Sequence, residues 1–165
     1  MDPIFFLKTQ AHPDSDSAPL CNVIATCYIG SDLCGHPGYV HGGLSFVLFD
    51  DVFARCAAAV LKSRTAMTAS MSVDFRAPAV TDRVYVYRAR IVEKHGRKVW
   101  MQGEMRCLRA FDVEKMARRD VAVSDGVSSE EMEGTLVAEA KALFVEPKNM
   151  EVGTILEKIG VCDCC

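Results

Sequence analysis

The sequence carries no excess of positive charge. Its 19 Lys and Arg stand against 22 Asp and Glu, a net charge of −3, which argues against a general nucleic-acid binder. It has no uninterrupted apolar run long enough to cross a bilayer, because residues 44–61 hold Asp50, Asp51 and Arg55 in their middle. It opens with no secretory signal, since Ile4-Phe5-Phe6-Leu7 is too short for an h-region and follows an acid. The eight cysteines are therefore expected as thiols in an intracellular chain, cytoplasmic by default and compatible with mitochondria. Cys162-Asp163-Cys164-Cys165 has no second ligand pair at metal-binding spacing and no aliphatic residues after Cys162 for a prenylation box. No metal is expected, and the end reads as an exposed tail. No repeat of strand-helix-strand occurs, which argues against a parallel doubly wound sheet.

What is present is one domain's worth of chain. At 165 residues, 50% hydrophobic and 25% charged, it has the balance of a soluble globular domain with a real core. Residues 1–19, with the Pro/Ser/Asp-rich run Pro13 to Pro19, read as an N-terminal arm and linker. Residues 20–146 read as the folded domain and 147–165 as a tail. Period-two alternation marks strands. Val23, Ala25, Cys27 and Ile29 form one side of the first. From Thr65 to Arg76, Met67, Ala69, Met71, Val73 and Phe75 alternate with Thr68, Ser70, Ser72, Asp74 and Arg76. Tyr85, Tyr87, Ala89 and Ile91 mark a third strand, which turns at His95-Gly96-Arg97 into a fourth with Trp100 opposite Val99, Met101 and Met105. Leu136, Ala138, Ala140, Ala142 and Phe144 mark a fifth. Gly30, Gly35, Pro37 and Gly38 argue against regular structure across 30–43, and residues 110–134 break the pattern with ten charges in twenty-five positions, as an insertion. The expected fold class is α+β: an antiparallel sheet of about five strands wrapped round one long helix.

That helix follows His41-Gly42-Gly43. Asp51 shares a face with Arg55 and Lys62, an ordinary solvated arrangement with an i,i+4 pair. Asp50, nine positions after His41 (50 − 41), falls on the other side, among Phe46, Phe53, Ala54, Ala57 and Leu61. A carboxylate there is costly unless it is paired or used. Two glycines at a helix start admit a ligand to free N–H donors with the positive dipole end behind them, which suits a phosphate or a developing oxyanion. The charge is also uneven. Residues 76–109 hold nine Lys/Arg against three Asp/Glu, so +6 in the middle leaves −9 elsewhere (−3 − 6). A basic middle in an acidic chain fits a phosphorylated small molecule, and equally fits solvated strand edges.

The run from His41 to Asp50 resembles the helix start of hotdog-fold acyl-CoA thioesterases, most closely the branch with the PaaI-like enzymes and the mammalian THEM-type proteins. The likeness continues through Met67-Thr68-Ala69, Asp74-Phe75-Arg76-Ala77-Pro78 and Gly96-Arg97-Lys98, and covers residues 20 to 146. It implies a hotdog fold, hydrolysis of acyl-CoA thioesters in lipid and fatty acid metabolism, and a homodimer or dimer of dimers. The roles it implies are Gly42 N–H as oxyanion donor, Asp50 as general base or nucleophile, Thr68 holding the water or the acid, and His36 touching the thioester, while His41 braces the loop. Asp74, Arg76, Arg97, Lys98 and Trp100 would contact coenzyme A, which is part of the substrate, so no separate cofactor is implied. Two alternatives stand beside it. One is a non-catalytic acyl-CoA-binding hotdog protein, a sensor or partner. The other, a hotdog dehydratase, wants a His in the helix, and none is there.

Helix geometry adds a constraint. Gly42 and Asp50 are about 12 Å apart along the axis at 1.5 Å per residue, whereas a reacting carbonyl must lie about 3 Å from both donor and attacker. The site is therefore expected to be shared, with Gly42 from one copy and Asp50 from another.

Overall fold

The computed structural model describes residues 4–10, 20–108 and 134–148. The Pro13–Pro19 linker, nearly all of the 110–134 insertion and the Cys162–Cys165 end lie outside the described residues. In chain order the elements are β1 (Ile4–Gln10), β2 (Leu20–Ile29), a 3₁₀ turn (Ser31–Leu33), β3 (Cys34–His36), β4 (Tyr39–Val40), α1 (Gly42–Val60), β5 (Met67–Phe75), β6 (Arg83–His95), β7 (Lys98–Cys107) and β8 (Thr135–Val145). Six strands form one antiparallel sheet in the order β1-β2-β6-β7-β8-β5. The α+β layout read from the alternation is the one observed, with α1 packed on one face of the sheet.

The alternation works because successive strand side chains point to opposite faces. Val23, Ala25, Cys27 and Ile29 of β2, Tyr85, Tyr87, Ala89 and Ile91 of β6, Val99, Met101 and Met105 of β7, and Ala138, Ala140, Ala142 and Phe144 of β8 are all buried. Phe49, Val52, Phe53, Cys56, Ala57 and Val60 of α1 meet them. Phe49 stacks on Phe53 at 5.6 Å and meets Tyr87 edge-on at 5.1 Å, and Phe53 reaches Phe144 at 6.4 Å. Each such ring contributes roughly 1.5–3 kcal/mol of burial. Phe53 also rests on bare backbone: a Cβ at Gly103 would lie 2.8 Å from its ring and 2.6 Å from the Arg88 carbonyl. At its far end α1 stops at Val60, whose carbonyl accepts from Lys94 Nζ at 2.6 Å. A cation on an orphan carbonyl suits the negative end of the helix.

Three local expectations are corrected. Residues 4–10, read as part of a loose arm, pair with β2 from Ile4↔Thr26 to Gln10↔Leu20, so the sheet has six strands rather than about five. A seven-residue segment is short for a pattern, but the open edge of β2 offers it a row of backbone partners. The 30–43 loop is more regular than its glycines suggested. It holds the 3₁₀ turn and the β3–β4 ladder, with Gly38 at φ +80° in the bend, a conformation open to glycine at no steric cost. Finally, the alternation of β5 is interrupted by a bulge, which bears on the site.

Gly103→Ala is expected to lower the thermal unfolding midpoint by roughly 2–10 °C, since overpacking of this kind costs about 1–3 kcal/mol. Scanning calorimetry measures it, and an unchanged midpoint would contradict the close approach of Phe53 and the Arg88 carbonyl.

Candidate active site

The helix start is built by His41. Its backbone is extended (φ −63°, ψ 124°) and its Nδ1 accepts from the Gly43 N–H at 3.0 Å, which makes it the N-cap. Its own N–H donates to the Leu33 carbonyl and its carbonyl accepts from Leu44 N–H, each at 3.0 Å. A Cβ at Gly35 would press on the His41 ring and backbone at 3.0–3.3 Å, so only glycine lets the β3 segment lie this close. His41 thus braces the loop, as expected. With Gly43 and Leu44 satisfied, Gly42 N–H has no acceptor among the described residues and stands at the positive end of the helix. The nearest side chain to Gly42 is Phe75, whose Cζ would be 3.6 Å from an added Cβ.

Two turns further on, Asp50 is half-buried and its Oδ1 accepts from Thr68 Oγ1 at 2.5 Å. Simple alternation had set Thr68 on the same face as Ser70, Ser72 and Asp74. The observed register runs Thr68↔Phe144 and then Ser70↔Leu143, with a shift between them. Ala69 is the extra residue, and a bulge of one residue inverts the facing of everything beyond it. Thr68 therefore joins Met71 and Val73 on the helix side, opposite buried Phe144. Asp51 makes the expected surface pair with Arg55 Nε at 3.2 Å.

The donor and the acid lie at opposite ends of β5: Gly42 beside Phe75, Asp50 beside Thr68. Phe46 stands between them, its ring 6.4 Å from that of Phe75 and tilted 54° to it. Sequence reading had counted Phe46 and Phe75 only as apolar positions, although Phe46 is four residues from both Gly42 and Asp50. His36 is exposed on β3, opposite Tyr39 in the ladder and next to Gly35. Buried Cys27 offers no thiolate, since burial pushes its thiol up to about 11.

The five expected coenzyme A contacts fall into two groups. Arg97, Lys98 and Trp100 sit at the β6–β7 hairpin, where Arg97 Nη1 donates to the Glu146 carbonyl at 2.8 Å and Trp100 meets the His95 ring edge-on at 5.8 Å. Arg76 and Asp74 sit at the other end of β5. Arg76 Nε donates to Glu139 Oε2 at 2.6 Å, with Asp74 Oδ2 3.9 Å from its Nη2, and the hydrogen bond and charge of Glu139 raise the guanidinium pKa. Lys98 shares a ladder row with Met67 through Val145, and Glu104 one with Asp74 through Glu139. Six residues of β7 separate those rows, about 20 Å at 3.3 Å per residue. One chain does not bring the two groups together. Among the described residues no cluster of three His, Cys, Asp or Glu side chains is placed to hold a metal, and no helix is long and apolar enough to cross a membrane.

Residues 37–108 match the family model described as thioesterase superfamily. An uncharacterized mitochondrial protein of Candida albicans is 26% identical over 148 residues, covering 90% of this chain and 54% of that protein. The chain spans about half the length of the curated relatives it matches. Among solved structures, the Escherichia coli PaaI protein of the phenylacetic acid degradation operon is similar with a TM-score of 0.60, 12% identity, and coverage of 88% of this chain and 81% of that one. A hypothetical thioesterase of Streptococcus pneumoniae, solved with coenzyme A, is similar with a TM-score of 0.58, 14% identity, and coverage of 86% and 87%. At these identities the likeness is one of fold, and the fold is the hotdog of the thioesterases.

His41→Ala is expected to reduce stability by about 1 kcal/mol through loss of the N-cap. In urea this reads as a lower midpoint at unchanged slope; an unchanged midpoint would mean that the imidazole does not hold the helix start.

Proposed function

From a chain with the hotdog thioesterase fold, matched by the thioesterase superfamily model over residues 37–108, we propose a homodimeric thioester hydrolase that acts on acyl-CoA. The observation that carries this reading is the position of β5. It is the last strand of the sheet, bonded to β8 on one side only, and such an edge is a template for another strand. Two of its apolar side chains, Met67 (52%) and Phe75 (49%), stay exposed at its two ends, surface that a second copy would cover. Antiparallel pairing of two β5 strands about a two-fold axis sets the Phe75 end of each against the Thr68 end of the other. The free N–H of Gly42 then comes beside the Asp50 of the second copy, which resolves the ~12 Å spacing along one helix.

In the reaction, Gly42 N–H and the dipole of α1 polarise the thioester carbonyl. Asp50 from the other copy either takes a proton from water as the water attacks, or attacks the carbonyl itself to give a mixed anhydride that water then cleaves. In both routes the carbon–sulfur bond breaks and the departing thiolate ends protonated as free coenzyme A. The Thr68 hydroxyl holds one carboxylate oxygen and leaves the other for the water or the carbonyl carbon. His36, next to Gly35 in the loop before α1, contacts the thioester end of the substrate. Pairing through β5 also brings Arg76 and Asp74 of one copy within about three strand spacings, ~15 Å, of Lys98 in the other. Arg97, Lys98 and Trp100 with the second copy's Asp74 and Arg76 then form one basic, partly aromatic patch for the phosphates and adenine. The coenzyme A complex of the Streptococcus pneumoniae neighbour supports a ligand of this class. For location, the mitochondrial designation of the Candida albicans relative supports an intracellular, mitochondrial enzyme over the cytoplasmic default.

Two substitutions test the roles. Asp50→Asn keeps an acceptor for Thr68 and is expected to lower kcat by 10²–10⁴. Gly42→Pro removes the donor N–H at the first helical position, where proline is tolerated, after an extended residue that proline accepts; kcat is expected to fall by about 10²–10³ at preserved fold. A thiol-release assay with a panel of acyl-CoAs measures both. Full activity of Asp50→Asn would end this mechanism, and wild-type binding without thiol release would favour a sensor.

A further inference from the structure

Resting on that reading, we infer that Lys94 and Glu146 are positioning residues. Together they clasp the β6–β7 hairpin, which takes the coenzyme A phosphates, to the helix and strand that carry Asp50 and Thr68 of the same copy. Binding at the nucleotide end thereby sets the acid half of the site and raises kcat. The two regions are close. Lys98 and Met67 flank Val145 on opposite sides, so the hairpin stands two strand spacings, about 10 Å, from the residue before Thr68.

The connection between α1 and β5, residues 61–66, depends on such a tie. Arg64 stands in the left-handed region at φ 53°, a conformation that a residue with a Cβ keeps only where its surroundings hold it. Within the connection Ser63 and Thr65 bond to each other at 3.3 Å through Oγ, Oγ1 and main chain. Ser63 N–H then donates out of it, to Glu146 Oε1 at 2.6 Å. Glu146 follows directly after β8 and is itself held by Arg97. Its N–H donates to the Arg97 carbonyl and its carbonyl accepts from Arg97 Nη1, both at 2.8 Å. Lys94 makes the second tie, from β6 to the Val60 carbonyl at the end of α1. The bonds from Ser63, and after them the charges of Lys94 and Arg97, lower the pKa of the Glu146 carboxyl. A phosphate on Arg97 and Lys98 therefore fixes the hairpin, the hairpin fixes Glu146 and Lys94, and these fix residues 61–66 and the end of α1. Binding energy from a part of the substrate remote from the thioester is then realised as geometry at the reacting atoms, so cutting that part away lowers kcat.

The experiment compares kcat on the acyl-CoA that the panel finds most active with kcat on its S-acyl pantetheine counterpart, which lacks the nucleotide and its phosphates. The second ester is run with and without adenosine 3′,5′-bisphosphate as the separate piece. Wild type is expected to turn over the coenzyme A ester about tenfold faster, and the bisphosphate to raise kcat on the pantetheine ester about threefold. Glu146→Ala and Lys94→Met are each expected to bring the two kcat values within about twofold and to abolish the activation. Glu146→Gln keeps an acceptor for Ser63 N–H and is expected to retain most of both effects. A loss of stability alone lowers the rate on both esters and leaves their ratio. A wild type with equal kcat on the two esters, or variants that keep the wild-type ratio, overturns the clasp. Hydrogen exchange of the wild type needs neither a folded variant nor turnover. Saturating bisphosphate is expected to slow exchange across residues 61–66 as well as 94–98; slowing at the hairpin alone, or at neither, overturns the clasp. If no ester releases thiol, it is the hydrolase reading that fails, and exchange alone decides the clasp.

Discussion

The rise of one helix constrains everything else in this molecule. Gly42 and Asp50 lie two turns apart on α1, so a single copy presents a donor and an acid that cannot reach the same carbonyl. The sheet is arranged around that separation. Its edge strand β5 runs alongside the helix, with Phe75 against the donor end and Thr68 against the acid end. β5 touches both positions and has one side unpaired, so on the proposed reading pairing it with a second copy would complete the sites.

The remaining interactions hold α1 in place. Its start is capped by His41, which bonds to Gly43 and is anchored through Leu33 and Gly35. Its end is met by Lys94 on the Val60 carbonyl. Between them the rings of Phe49 and Phe53 pack on Tyr87, Phe144 and the bare backbone at Gly103. The helix is thus fixed along its axis and about it, so the facing of Asp50 toward Thr68 follows from the core. The Asp50 hydrogen bond also explains how a carboxylate is tolerated on the flank of an apolar helix: a hydroxyl donor replaces part of its lost solvation.

Much of this was legible from residue order alone. The buried faces of β2, β6, β7 and β8 follow the period of two, and the helix with its surface Asp51–Arg55 pair follows from spacing and i,i+4 chemistry. The misplaced acid at Asp50 and the glycine pair at the helix start stood out because each departs from what a purely structural helix needs. The pairing of Arg76 with Glu139, a residue 63 positions away, was not legible in the same way. No local pattern reports a partner at that distance.

What residue order determined, then, was the period of β2, β6, β7 and β8, the glycine start of the helix and the spacing of Gly42 and Asp50, because these depend on neighbours within a turn or a pleat. Tertiary structure alone decided which face Thr68 presents. A single unpaired residue, Ala69, shifts the β5–β8 register, and register is a property of two strands that neither carries by itself. The same holds for the pairing of residues 4–10 with β2 and for the contact of Phe46 with Phe75, each of which exists only once distant segments meet.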